Sequence, residues 1–87
     1  MPITTAQISV STSRVLLHQT DADGCHISVH SDAGGGTDTF LGDVTVTASN
    51  GFELDGQNFI QLYMPPTSAL YAITSSGTHT LSVMVVN

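Results

Sequence analysis

The stretch Cys25-His26-Ile27-Ser28-Val29-His30-Ser31 decides the fold class. Cys25, Ile27 and Val29 fall on one side of an extended chain; His26, Ser28 and His30 fall on the other. Successive side chains of a strand point to opposite faces, so this period of two predicts a half-buried β-strand. The same rhythm recurs on both sides of it. Thr78–Val86 sets Leu81, Val83 and Val85 on one face, and Met84 and Val86 make its other face apolar near the end. Ala6–Val10 alternates Ile8 and Val10 with Gln7 and Ser9. Asn58–Met64 aligns Ile60, Leu62 and Met64, until Pro65-Pro66 stops it, because proline cannot donate to a ladder. Shorter extended pieces are expected at Arg14–Gln19, Thr39–Leu41, Val44–Thr47, Phe52–Leu54 and Leu70–Thr74.

Turn signals separate these runs. They are Ser11-Thr12-Ser13, Asp21-Ala22-Asp23-Gly24, Gly42-Asp43, Asn50-Gly51, Asp55-Gly56 and Ser75-Ser76-Gly77. Asn-Gly is the strongest short-range hairpin signal, since both residues tolerate positive φ. Asp32–Asp38, with Gly34-Gly35-Gly36 at its centre, reads as a flexible loop. No window carries a helical period. Short strands at this spacing predict an all-β chain, a small antiparallel β-sandwich or barrel of about seven to nine strands without substantial helix. The 87 residues form a single β domain, with residues 1–5 expected as an extended N-terminal arm.

Composition narrows the function. Arg14 is the one Lys or Arg, against Asp21, Asp23, Asp32, Asp38, Asp43, Glu53 and Asp55, and the net charge is −6. Nucleic-acid binding requires cations to replace phosphate counterions, and docking on anionic lipid requires them too, so both partners are excluded. Schiff-base catalysis is excluded by the lack of lysine. Ten serines and twelve threonines, with 40% hydrophobic residues, suit pleated surfaces rather than disorder. No apolar run approaches the ~18–20 residues of a membrane helix. The opening Met-Pro-Ile-Thr-Thr lacks the basic and apolar regions of a signal peptide, so synthesis in a cytoplasm without processing is expected.

Cys25 is the only cysteine, so neither an intrachain disulfide nor a four-cysteine zinc site can form. Below roughly 70–80 residues a single core supplies little net stability, and small domains add metals, bridges or association. At 87 residues, without bridges, association with copies of itself or with a large partner is the expected support.

The candidate chemical motifs are weak. His26 and His30 would share a metal on a helix, but on a strand they sit ~13 Å apart. Asp21-Ala22-Asp23-Gly24 lacks the ligand spacing of a calcium loop, and the glycine run lacks the lysine and helix of a phosphate loop. Cys25 lies on an apolar face and reads as a buried, inert thiol. No nucleophile motif is present. Neither catalytic activity nor a cofactor or metal is expected. Apolar residues near turns point instead to contacts: Ile3, Leu62, Tyr63, Met64, Leu70 and Tyr71 are the expected interface residues, since Tyr and Met are enriched at interface centres.

A longer pattern carries a resemblance. Phe40-Leu41-Gly42-Asp43-Val44-Thr45-Val46-Thr47, Asn50-Gly51-Phe52-Glu53-Leu54-Asp55-Gly56, Leu70-Tyr71-Ala72-Ile73-Thr74-Ser75-Ser76-Gly77-Thr78 and Leu81-Ser82-Val83 together resemble small structural proteins of tailed bacteriophages. The resemblance covers the C-terminal half; the N-terminal half shares only strand rhythm, and the glycine loop and histidine pair depart from the pattern. It implies a β-rich virion protein, among them head decoration proteins that sit outside the capsid, often as trimers, with no catalytic residues. The expected role is therefore a capsid decoration or cement protein on the outer head surface, bound to the major capsid protein and to its own copies, made in the bacterial host cytoplasm. The alternatives are a tail or fibre component with a receptor-binding loop and, more distantly, a small metal-dependent hydrolase.

Overall fold

The strand β3, Cys25–Ser31, runs through the interior of a sheet and buries Cys25, Ile27, Val29 and Ser31 on one face. A computed structural model describes residues 3–31, 38–54 and 59–86. Around β3 it places β1 (Ile3–Val10), β2 (Val15–Gln19), β4 (Thr39–Gly42), β5 (Phe52–Leu54), β6 (Phe59–Met64), β7 (Ala69–Thr74) and β8 (His79–Val86). No helix occurs among the described residues. The strands form two four-stranded antiparallel sheets, ordered β1-β8-β3-β6 and β2-β7-β4-β5. This is a β-sandwich rather than a closed barrel.

Register follows from the alternation. β8 pairs with β3 so that Val85 lies opposite Ile27, Val83 opposite Val29 and Leu81 opposite Ser31. These residues meet Leu41, Leu54, Leu70 and Ala72 of the second sheet, together with Val10, Leu17 and Met64. Each fully buried Ile, Val or Leu contributes on the order of 1.5–3 kcal/mol by leaving water. The end of β2 is tied to the turn between β6 and β7 through Thr20. Its hydroxyl donates to the Pro65 carbonyl (2.7 Å) and accepts the Ser68 N–H (2.7 Å). That tie holds the turn after β6, where Thr67 has a φ of 56°.

Four expectations change. β1 starts at Ile3, because Ile3, Thr4 and Thr5 pair with Val86, Val85 and Met84; these residues of the expected arm belong to the sheet. Val44–Thr47 is a loop rather than a strand. The Asp43 carboxylate accepts from the Thr45 N–H (2.8 Å) and hydroxyl (2.6 Å), and Asn50 accepts the Thr47 N–H (2.7 Å). Such local bonds offer the backbone an alternative to a ladder. Asn50-Gly51 closes that loop, both N–H groups reaching the Thr47 carbonyl, instead of forming a two-residue hairpin turn. Finally, Met64 and Leu70 face the core, 3% and 9% exposed, and are not surface contacts. The Asp32–Asp38 loop, apart from Asp38, and the Asp55-Gly56 turn lie outside the described residues.

Val46 packs away from the main core. It is buried against Gly42 and Gly51, where a Cβ would stand 2.9 and 2.8 Å from its side chain. A Cβ on Gly51 would also come within 2.6 Å of Phe40 Cβ, so this loop closes over its sheet only with glycine there.

The packing makes a direct prediction. Leu81→Ala, at a fully buried position, should cost about 2–5 kcal/mol in urea unfolding, whereas Thr12→Ala in an exposed turn should change stability by less than about 0.5 kcal/mol.

Candidate functional site

The sheet β1-β8-β3-β6 has an outer face built by the residues that the core does not take. Cross-strand register arranges them in straight rows. One row runs Ile3, Val86, His26, Tyr63; the next runs Thr5, Met84, Ser28, Gln61; a third runs Gln7, Ser82, His30, Phe59. No Asp, Glu, Lys or Arg occupies any of these positions. The described acidic residues lie elsewhere: Asp21 and Asp23 in the β2–β3 turn, Asp38 before β4, Asp43 in the loop after β4, and Glu53 on β5. Arg14 precedes β2, and its guanidinium reaches the Val46 carbonyl at 3.5 Å on the side of the other sheet.

This face is uncharged and partly apolar. Ile3 and Phe59 are each 64% exposed, Tyr63 54% and Met84 41%. Soluble proteins tolerate single exposed hydrophobics, but clusters of them mark interaction sites. A shallow concavity of about 620 Å³ crosses the sheet here, lined by Thr5, Gln7, Ser28, His30, Phe59, Gln61, Ser82 and Met84. At one end the Tyr63 ring leans on His26, with ring centroids 5.3 Å apart and planes tilted by 59°. The Tyr63 hydroxyl lies over Gly24, where a Cβ would collide with it. Glycine at the end of the β2–β3 turn therefore lets the tyrosine lie down.

The structure divides the expected interface residues. Ile3 and Tyr63 share this face, at the two ends of one row. Leu62 is half-buried against the core from the inner side of β6. Tyr71 lies half-buried on β7 of the opposite sheet, and Met64 and Leu70 are core. Sequence reading missed Met84, Phe59 and Gln61 as members of one surface. The signal was present for part of it: His26, Ser28 and His30 were already on one side of β3, and Met84 and Val86 on one side of β8. What was lacking was the strand order that aligns them.

The chemistry available is modest. His26 and His30 point to the outer face on either side of Ser28, His18 lies on β2, and His79 lies opposite Val10. No group of three His, Cys, Asp or Glu side chains could hold a metal among the described residues. Two buried polar atoms, Thr39 Oγ1 and His79 Nε2, have no hydrogen-bond partner there, and both belong to the interior. In the Asp43 loop, the side-chain bond from Thr45, followed by its backbone N–H, holds the carboxyl below the usual range. This support is present at neutral pH and is lost as pH falls through the lowered value. Comparison with protein-family models, with curated proteins and with solved structures gives no match for this chain.

Cys25 is buried at the start of β3, and burial first, then the nearby Asp21 charge, pushes its thiol pKa up. The folded protein should therefore react with iodoacetamide at neutral pH far more slowly than the urea-unfolded chain, by at least about tenfold in mass-spectrometric labelling.

Proposed function

We propose that this chain is a virion structural protein of a tailed phage, a decoration protein that docks on the outer surface of the head through the outer face of β1-β8-β3-β6. The observation that carries the reading is the uncharged, partly apolar surface of that sheet on a protein of net charge −6. Interface centres are depleted in charge and enriched in Tyr, Phe and Met; the three rows carry no Asp, Glu, Lys or Arg, and each holds one of these residues, Tyr63, Met84 or Phe59. The sequence resemblance to small phage structural proteins supplies the kind of partner, the major capsid protein, and favours three copies per cluster.

The mechanism is linkage. A protein that binds only the assembled shell stabilises that shell by RT ln(1 + [L]/Kd). Several copies held together gain avidity, because the second contact becomes intramolecular. Acidic side chains kept off the docking face remain toward solvent and repel neighbouring particles. No catalytic step is needed.

Co-sedimentation with emptied heads tests this. The wild-type chain should pellet with heads and not with isolated tails; pelleting with tails alone would assign it to the tail instead. Met84→Glu places an unpaired carboxylate at the centre of the contact, and a buried unpaired charge is costly. It should weaken head binding by about tenfold or more, while Ala48→Glu, in the exposed loop of the other sheet, should leave it unchanged. Equal binding by both variants would remove this face from the contact.

A further inference from the structure

Among the described residues, the sheet β1-β8-β3-β6 ends in two edge strands with no further partner, β1 and β6. Natural edge strands are usually guarded by charge, proline, bulges or shortness. β1 is eight residues long, Ile3–Val10, and carries no charge, no proline and no register shift. Ile3 through Gln7 are exposed without interruption, so neither their inner nor their outer side is covered. β6 is likewise uncharged, and its inner residues Ile60 and Leu62 are only half-buried at the rim of the core.

We infer that β1 of one copy pairs antiparallel with β6 of a second copy, continuing the sheet from molecule to molecule. The direction comes without rearrangement. β1 runs parallel to β3 and β6 runs against both, so an adjoining copy in the same orientation presents an antiparallel strand. One register matches chemistry on both faces. It sets Ile3 beside Tyr63 of the neighbouring copy and Thr5 beside its Gln61 on the outer side. On the inner side it sets Thr4 and Ala6 against the neighbour's Leu62 and Ile60, covering exposed residues of one edge and half-buried residues of the other. Shifting by two residues loses the pairing of Ile3 with Tyr63. A two-fold pairing of β1 with itself that sets Ile3 against Thr5, Gln7 or Ser9 brings at most Ala6 against Ala6 and leaves the half-buried Ile60 and Leu62 of β6 uncovered. The absence of charge at both edges also matters, because copies of net charge −6 repel one another least where no carboxylate lies.

A β1-to-β6 contact joins unlike surfaces. Such contacts close into rings when the rotation per copy brings the last copy back to the first, which is the outcome assigned here; strand twist alone would continue them as an open filament. This assignment deepens the self-association in the proposed decoration role and rests on that reading, but it is tested on the isolated protein without heads.

The test is disulfide trapping with Thr5→Cys and Gln61→Cys, both exposed outward positions. Within one chain these residues are separated by three strand spacings, roughly 14 Å, beyond the ~7 Å limit between disulfide-bonded Cα atoms. They can be bridged only between copies. Under mild oxidation the double variant should give a covalent ladder ending at the copy number of the ring. The two single variants and the wild type, with buried Cys25 alone, should stay uncross-linked. Sedimentation of the wild type should show the same copy number, and Ala6→Lys should reduce it to monomer. A dimer formed by Thr5→Cys alone would establish the two-fold pairing and overturn the assignment. So would an uncross-linked double variant, or a monomeric wild type. Any of these three failures leaves head binding to be judged by its own co-sedimentation, and a wild type that pairs but ignores heads sinks only the decoration role.

Discussion

The antiparallel pairing of β3 with β8 is the constraint on which the rest of the molecule depends. Ile27 and Val29 meet Val85 and Val83 across it, and all four are buried against the second sheet. Strand side chains alternate with a period of two, so a slip of one residue would turn this set to water and drive His26, Ser28, His30 and Met84 inward. The penalty for burying His26, Ser28 and His30 without partners fixes the register. The outer face is thus not an independent feature. Once the core has taken one side of each strand, the remaining side is determined, and here it is a surface without formal charge.

That surface has physical consequences because the domain is small. With 87 residues and a single buried thiol, no bridge supplements the core. The acidic residues of the described chain are placed in turns and on the other sheet, where they favour solubility. They leave one broad area on which another protein can approach without desolvating a carboxylate. An uncharged face beside two unguarded edges joins the two associations proposed here, one across the face and one along the sheet. They use different atoms: side chains of Met84 and its neighbours for the first, backbone groups of β1 and β6 for the second.

Much of the fold was legible in the sequence. β3 runs from Cys25 to Ser31 as its alternation required, and Pro65 follows β6 directly. The inner faces of β6 and β8 were readable from Ile60, Leu62, Met64 and from Leu81, Val83, Val85. Legibility failed where local side-chain bonds compete with periodicity. Val44-Thr45-Val46-Thr47 alternates like a strand, yet Asp43 and Asn50 capture its backbone, and Val46 is buried in a loop. It failed also for contact residues chosen by type. Met64 and Leu70 stand beside proline and tyrosine in sequence but point inward, since their strands' parity places them with the core. The outer face needed strand order, a non-local fact: nothing near Met84 in the chain announces Ser28 and Thr5 as its neighbours.

The most direct measurement of the central claim is an image reconstruction of the virion that resolves this chain in place. The account predicts copies on the outer lattice of the head, with Met84, Ser28 and His26 turned against the shell protein and the Asp43 loop toward solvent. Copies confined to the tail, or head-bound copies whose β1-β8-β3-β6 face is bare to solvent, would contradict it.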